Sequence, residues 1–173
     1  MDYDRKLYRR GWGRGNQCTV PVHGSTTVCK GDLLFLDRVD ALRSRGTSSK
    51  DYYAYPFSDV SGTTLSLASN RTLASENFVG VAAWHSDGGV TETIAIHTSG
   101  LFKYPLKNSR HLKIGKNILP AGSGVTLHNQ RVSISSSASS DHIGLVANSG
   151  TFQSSVEMNI FTLFFGKTNL IAG

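Results

Sequence analysis

Short apolar runs separated by turn residues recur along most of the chain. The run Leu33–Leu36 follows the turn signal Lys30-Gly31-Asp32 and suits a buried strand. Turn residues separate nearly all of the further strand signals, as at Ser86–Gly89, Ser99–Gly100, Ala121–Gly124 and His128–Gln130. These strand signals lie at Thr63–Ala68, Phe78–Trp84, Val90–His97, Leu101–Leu106, Val125–Leu127, Arg131–Ser135, His142–Ala147 and Val156–Phe165. Many short strands joined by such turns predict an all-β fold, a compact β-barrel or jelly-roll-like sandwich.

Two of these strand signals have similar sequences. Phe78-Val79-Gly80-Val81-Ala82-Ala83 resembles His142-Ile143-Gly144-Leu145-Val146-Ala147. A glycine inside an apolar strand marks a bulge or a close approach of two backbones. We therefore expect both strands to bend at the glycine, but two matching segments do not by themselves establish a duplicated fold.

The segment around residues 37–73 departs from the strand pattern. Ser44–Lys50 lacks core residues, which predicts a surface loop. A short helical piece is predicted near Leu73–Asn77, with Asn70 or Ser75 as its cap. An aromatic cluster, for which we expect packing or subunit contact rather than ligand stacking, consists of Tyr52, Tyr53, Tyr55 and Phe57. The prediction is one β-barrel domain over residues 28–173 with a loop insertion at 37–73.

Residues 1–27 are predicted to form an extended basic arm. Residues 1–17 have no apolar periodicity that would bury one face. The net charge is +6, and residues 1–50 hold ten Lys/Arg against five Asp/Glu, whereas residues 51–173 hold eight against seven. Such a segment becomes ordered against an acidic partner. The residues that we expect to bind the partner are Arg5, Lys6, Tyr8, Arg9, Arg10, Trp12 and Arg14.

The sequence contains no motif of an enzyme. Trp84–Gly89 places His, Ser and Asp in succession, but neighbours on one turn cannot converge as a catalytic triad. A nucleophile elbow, a phosphate-binding loop and a zinc-protease motif are all absent from the sequence. The six histidines and the carboxylates are scattered at irregular spacing, so we predict neither a metal site nor a catalytic carboxylate pair. We expect a non-enzymatic protein without a cofactor.

The cysteines and the hydropathy pattern bear on the cellular compartment. Cys18 and Cys29 match neither a redox motif nor a zinc-binding pattern, and two reduced thiols are favoured over a disulfide. No run of 18 or more apolar residues exists, and no signal-peptide-like apolar stretch follows the charged N-terminus. These patterns predict a soluble protein that is synthesised in the cytoplasm and has no membrane partner.

Nucleic acid is the alternative partner to a protein. The Arg-Gly-Trp-Gly-Arg-Gly sequence of the arm resembles RGG-type segments. A second basic stretch, interleaved with Tyr104 and Leu112, consists of Lys103, Lys107, Arg110, Lys113 and Lys116. For this second stretch we favour a solvated strand edge, where lysines prevent edge-to-edge aggregation.

An ordered series of short motifs points to one family of proteins. The series is Val79–Ala82, Thr93–Ile96, Gly100–Phe102 with Pro105, Leu112, Gly115, Val132, Ile143–Val146 and the apolar strand Val156–Phe165. It resembles the pattern of the cement, or decoration, proteins of tailed-phage capsids, and Lys30–Leu33 is similar to the Gly-Asp turn near their start. The resemblance covers Phe78–Phe165 and extends more weakly to Val28. The arm and the insertion depart from the pattern, which leaves the mode of attachment open.

The resemblance implies a compact β-barrel or jelly-roll-like protein, commonly trimeric, on the outside of the shell where capsid subunits meet. The implied partner is the major capsid protein, the implied location is the capsid exterior of the virion, and no catalytic residue follows from the family. A homotrimer also agrees with the apolar strand Met158–Phe165, whose two faces both need cover. The competing hypotheses are a nucleic-acid-binding protein that uses the arm, and a head-fibre base or tail protein.

The arm hypothesis predicts how binding to genome-free heads depends on salt. Replacing Arg9, Arg10 and Arg14 by Glu should weaken binding more at low than at high salt, because ions screen exposed charges beyond about 10 Å at 0.1 M. Trp12→Ala should weaken binding at both salt concentrations, because salt screens apolar contacts little. Sedimentation of the protein with heads measures both effects. Full occupancy by a variant that lacks residues 1–17 would show that the arm does not dock.

Overall fold

The computed structural model describes residues 17–38, 52–60, 66–135 and 141–162, and these residues are mostly β-structure. The strands are β1 (Gln17–Val22), β2 (Leu33–Arg38), β3 (Tyr52–Pro56), β4 (Phe78–Ala82), β5 (Glu92–His97), β6 (Ser99–Leu112), β7 (Asn117–Ser123), β8 (Thr126–Ile134), β9 (Gly144–Val146) and β10 (Gly150–Phe161). A 3₁₀ helix (Phe57–Val60) and an α-helix, α1 (Leu67–Glu76), lie between β3 and β4. The predicted all-β fold class is confirmed.

The strands form two closed five-stranded barrels. The first barrel has the strand order β1-β3-β2-β4-β5, and the second, followed around the ring from β6, has the order β6-β8-β7-β9-β10. Each barrel contains one parallel pair, β1 with β3 and β6 with β8, while its other neighbours are antiparallel. The two barrels therefore have the same topology, and the chain repeats one fold where the sequence predicted a single barrel.

The repeat extends to individual hydrogen bonds. In the first barrel the Gly31 amide donates to the Ala82 carbonyl, and the Ala82 amide donates to the Asp32 carbonyl, each at 2.9 Å. In the second barrel the Gly115 amide donates to the Val146 carbonyl, and the Val146 amide donates to the Lys116 carbonyl, also at 2.9 Å each. The equivalent bonds establish which residues of the two barrels correspond.

The two interiors correspond residue by residue. Nine buried residues fill the first barrel: Val20, Val22, Val28, Leu34, Ala54, Val79, Ala82, Ile94 and Ile96. The residues at the equivalent positions of the second barrel, in the same order, are all buried as well: Tyr104, Leu106, Leu112, Ile118, Val132, Ile143, Val146, Val156 and Met158. Several side chains are larger in the second barrel, where Tyr104 stands in place of Val20.

The outer face of the first barrel packs against the second barrel. Leu33, Phe35 and Phe78 lie in the same apolar cluster as the interior of the second barrel, whereas the intervening Leu34 belongs to the interior of the first. Strands β2 and β4 are thus covered on both faces. A strand in that position has a continuous apolar sequence rather than an alternating one, which accounts for the run Leu33–Leu36.

Gly80 and Gly144 occupy equivalent positions at which neighbouring strands approach closely. A Cβ on Gly80 would lie 2.2 Å from the carbonyl oxygen of His97, and one on Gly144 would lie 2.4 Å from that of Asn159. His97 and Asn159 are themselves equivalent residues of β5 and β10. The prediction of close backbone approach at both glycines is confirmed, and the sequence similarity of the two segments reflects the repeated barrel.

The structure corrects the boundary of the predicted arm. Residues 17–22, which the sequence analysis placed in the arm, form β1 and pair with β5. Val20 and Val22 alternate inward there, and the intervening Pro21 is exposed, so the segment has the period of a strand. The predicted arm residues 1–16 lie outside the described residues.

The described parts of the predicted insertion around residues 37–73 contribute to the core. Tyr55 and Phe57 are buried between the barrels, which supports packing as the role of the aromatic cluster. Helix α1 begins at Leu67, because the Ser66 hydroxyl accepts a hydrogen bond from the Ser69 amide and caps it. The strand predicted at Thr63–Ala68 is therefore wrong at Leu67 and Ala68, which form the start of α1. Residues 39–51 and 61–65 lie outside the described residues.

Two predictions in the second barrel also need correction. The turn expected at His128-Asn129-Gln130 is the middle of β8. The turn expected at Ala121–Gly124 begins within β7, a strand whose Pro120 and Gly122 conceal the alternating pattern.

In the described part of Met158–Phe165, Met158 and Ile160 are buried while Asn159 is exposed. The apolar residues of the opposite face, Phe161, Leu163 and Phe165, lie outside the described side chains.

The repeated close approach predicts that Gly80→Ala and Gly144→Ala are similarly harmful. Each Cβ would overlap a carbonyl oxygen of the backbone, so we expect the free energy of unfolding to fall by more than about 2 kcal/mol in each variant. Gly115→Ala is the matched control: its φ of 83° penalises a side chain, but no atom lies within 4 Å of the added Cβ. Its cost should be about 1 kcal/mol. Urea denaturation measures all three, and equal stability losses would contradict the explanation.

Candidate interaction surface

The seven predicted partner-binding residues of the arm, Arg5, Lys6, Tyr8, Arg9, Arg10, Trp12 and Arg14, lie outside the described residues. The second basic stretch is described, and its interleaved apolar residues point inward. Tyr104 and Leu112 are buried in the second barrel, whereas the five basic residues around them are exposed. Tyr104 is therefore not available for stacking on a nucleic-acid base.

Charge divides unevenly between the two barrels. The described residues of the first barrel and its helices, from 17 to 98, contain three Lys/Arg and six Asp/Glu, a balance of −3. The described residues of the second barrel, from 99 to 162, contain six Lys/Arg and two Asp/Glu, a balance of +4. Of the part of the chain that the structure describes, the second barrel is thus the one suited to an acidic partner.

The basic residues concentrate at the end of the second barrel where β6 turns into β7. Arg110, His111, Lys113, Ile114 and Lys116 are all exposed there. The turn is fixed to β9 by the two hydrogen bonds between Gly115, Lys116 and Val146, and the Lys116 amide also donates to the Lys113 carbonyl at 3.3 Å. The side chains consequently project from an ordered backbone, which lowers the entropy lost when they bind a partner.

Phe152 lies beside His111 and has an unusual backbone conformation. Its φ is 49°, which makes it the one non-glycine residue with positive φ among the described residues. The pairing of β10 with β6 shifts register on either side of Gln153, so Phe152 lies in an irregular part of the ladder. Its ring centroid is 4.5 Å from that of His111, and its side chain is 73% exposed. A left-handed conformation costs a side-chain-bearing residue about 1–2 kcal/mol.

We call Arg110, His111, Lys113, Ile114, Lys116 and Phe152 the Phe152 patch. It combines two exposed apolar side chains, since Ile114 is 69% exposed, with three cationic ones. The three cations are evident from the sequence as part of the second basic stretch, but the apolar members are not. In the sequence, the one sign of the apolar anchor is that Phe152 stands alone among small and polar residues in Ser149-Gly150-Thr151-Phe152-Gln153. That pattern is more typical of a turn than of a binding site.

The first barrel provides an internal comparison for the patch. At the positions that correspond to Arg110, His111 and Lys113 by their distance from the turn glycine, the first barrel has Thr26, Thr27 and Cys29. The barrel fold therefore does not require basic residues at these positions. The interior residues are apolar in both barrels, whereas the second barrel has three cations on this surface and the first has one, Lys30, at the position of Ile114.

The first barrel also exposes apolar side chains. Trp84 is 60% exposed and stacks on His85 with a centroid distance of 5.3 Å, and Val90, in the loop before β5, is 72% exposed. The turn predicted at Trp84–Gly89 is present, with Ser86 bridged to Val28. The adjacent carboxylates Asp87 and Glu92 make this surface less basic than the Phe152 patch.

A buried polar network joins the two barrels. The Asp32 carboxylate accepts hydrogen bonds from the Cys29 amide and from the Gln130 side-chain amide, both at 2.8 Å. The Tyr104 hydroxyl donates to the Gly31 carbonyl at 2.8 Å. Burial raises the pKa of the Asp32 carboxyl above its ordinary value. Burial also raises the pKa of the Tyr104 hydroxyl well above its ordinary value, and the nearby Asp32 charge adds to this effect. Gln130 was not predicted as a contact residue.

The helices add hydrogen bonds between the barrels. From α1, Asn70 Nδ2 donates to the Val125 carbonyl at 2.6 Å, and Arg71 Nε donates to the Pro120 carbonyl at 2.9 Å. From the 3₁₀ helix, the Ser58 amide donates to Asn129 Oδ1 at 2.6 Å. These bonds and the continuous apolar cluster make the two barrels one packed body.

The other titratable side chains that the structure describes are not grouped into a metal-binding centre. Burial, Arg131 and Lys107 lower the pKa of His128, which favours its neutral form. Cys18 and Cys29 are free, and burial raises the pKa of both thiols, with Asp32 and Asp87 contributing at Cys29. Within residues 17–38, 52–60, 66–135 and 141–162, no three His, Cys, Asp or Glu side chains are placed to hold a metal ion. Helix α1 is too short to cross a membrane, and the described residues contain no longer apolar helix.

Comparison with solved structures shows a distant structural similarity to a phage protein. No protein-family model matches the chain, and no curated protein matches it. The crystal structure of the head fiber gp8.5 N base in bacteriophage phi29 is similar to it with a TM-score of 0.45 and 12% sequence identity. The match covers 84% of this chain and 94% of that chain. Because this TM-score is too low to establish a common fold, the functional interpretation rests on this chain's own residues.

The raised pKa of Asp32 predicts a specific pH dependence. The folded state favours the protonated carboxyl, so its contribution to stability is present below the unfolded pKa of about 4 and is lost as pH rises through the folded pKa. Asp32→Asn removes this titration. The free energy of unfolding of the wild type, relative to Asp32→Asn, should therefore decrease between pH 3.5 and 7 in urea denaturation. Parallel pH profiles of the two proteins would contradict the assignment.

Proposed function

We propose that this chain is a structural protein of a phage head that binds the outside of the capsid and stabilises contacts between major capsid protein subunits. The observation that carries the proposal is the Phe152 patch, a cationic surface with exposed apolar side chains on a rigid double barrel. Such a surface suits attachment to another protein, because apolar anchors surrounded by charged groups are typical of the centres and rims of interfaces. The sequence resemblance to capsid cement proteins supplies the identity of the partner.

The proposed role is mechanical rather than catalytic. A protein that binds only the assembled shell stabilises that shell by its own binding free energy. Rigidity makes this effective, since a subunit that bridges two capsid proteins must resist their separation. The continuous core between the barrels and the Asp32 network supply that rigidity in this chain.

The basic arm would provide a second attachment to the same shell. Residues 1–16 contain five Lys/Arg and two Asp/Glu, so their charge has the same sign as the Phe152 patch. Two weak contacts on one body bind more firmly than either alone, because the second contact forms at a high effective concentration. A homotrimer, as the cement family implies, would multiply these contacts further.

The proposal predicts that the protein raises the temperature at which heads rupture. Purified heads with and without the bound protein would be heated, and rupture would be followed by the accessibility of the packaged DNA to a fluorescent dye. Heads that carry the protein should rupture at the higher temperature. An unrelated basic protein added in the same amount controls for nonspecific neutralisation of charge.

Equal rupture temperatures would refute the cement function. If the protein instead bound free DNA or RNA with a steep salt dependence and did not bind genome-free heads, the nucleic-acid hypothesis would replace it. Occupancy at a few positions of the head rather than across its surface would favour a head-fibre base.

A further inference from the structure

The geometry points to the Phe152 patch as the docking site of the folded double barrel, with Phe152 as its anchor, for an acidic protein surface that contains an apolar recess. This inference rests on the proposed function and deepens it, because it names Phe152 as the anchor and specifies the chemistry of the partner surface. It requires no contribution from residues outside the second barrel.

The backbone of Phe152 indicates that its side chain has a purpose other than folding. At a φ of 49° glycine or asparagine would be less strained than phenylalanine. The ring does not repay this strain by burial, since it is 73% exposed and contacts His111 at one side. A residue that is unfavourable for the backbone and exposed to water is explained if its ring becomes buried in a complex.

The charges around Phe152 determine the kind of partner. Arg110, Lys113 and Lys116 are exposed, and no Asp or Glu lies in the β6–β7 turn or in the loop before β10. The described part of the first barrel has none of these cations at the equivalent positions and is acidic as a whole. Cations that the fold does not require, arranged around an apolar anchor, complement a surface of carboxylates around an apolar recess.

An acidic protein fits the patch better than a nucleic acid does. Nonspecific binding of single strands depends on aromatic faces in succession, on which consecutive bases stack. Besides the His111 imidazole, the patch has one aromatic ring, that of Phe152. Its other apolar side chain is the aliphatic Ile114, which has no ring face for a base to stack on. Phe152 and Ile114 instead have the size and chemistry of side chains that fill recesses of a protein partner.

The decisive variant is Phe152→Gly, because the two roles of the residue predict opposite effects. We expect the thermal unfolding midpoint of the variant to be equal to or higher than that of the wild type, since the strain is relieved. Affinity for genome-free heads should fall by about 30-fold, the effect of losing one anchor residue. Phe152→Asn, which also tolerates the left-handed conformation, should behave in the same way and tests the inference again if the glycine variant folds poorly.

Val90→Ser is the matched control. Val90 is 72% exposed in the corresponding loop of the first barrel, so its replacement removes a similar exposed apolar group outside the patch. Head binding should be unchanged. Lys113→Glu should weaken head binding at low salt more than at high salt, because its contribution is electrostatic.

The outcomes separate this inference from the proposed function. If the wild type binds heads and Phe152→Gly binds equally well, the docking site is refuted while the cement function stands. If the wild type does not bind heads, both are refuted. Phe152-dependent binding of a single-stranded DNA oligonucleotide would assign the patch to nucleic acid, and Phe152-dependent self-association in sedimentation would assign it to a second copy of the chain. Each of the last two results would overturn the acidic partner.

Discussion

The shared apolar core between the barrels is the interaction on which the rest of the structure depends. A five-stranded barrel encloses little volume, and the first barrel fills its interior with nine mostly small side chains. Its outer face supplies Leu33, Phe35 and Phe78 to a larger cluster that continues into the second barrel. Neither barrel is therefore covered without the other, and burial of both faces of β2 holds the two in a fixed arrangement.

The repeat separates what the fold requires from what it does not. The turn glycines Gly31 and Gly115, the close-approach glycines Gly80 and Gly144 and the interior positions are equivalent in the two barrels. Surface charge is not equivalent: the described first barrel is acidic and the second basic. One polar position shows the divergence, since Asp32 is buried in the contact between barrels while the equivalent Lys116 is exposed in the Phe152 patch.

A rigid body with one cationic, apolar surface is suited to mechanical attachment. The buried hydrogen bonds of Asp32, Tyr104 and Asn70 link the barrels and leave little freedom between them. The Phe152 patch projects from this body through a turn that is bonded to β9. Binding at such a surface spends little free energy on ordering the protein, so weak contacts repeated over a shell can be effective.

The sequence by itself determined the all-β class, most strands of both barrels and the special role of Gly80 and Gly144, because these follow from local alternation and from the steric freedom of glycine. It also located the cations of the patch. Only the tertiary structure decided that Leu33 and Phe35 pack against a second barrel, that residues 128–130 continue a strand, and that Phe152 lies strained and exposed beside His111. These depend on which segments lie side by side after folding, and pairings between residues distant in sequence leave no periodic signal along the chain.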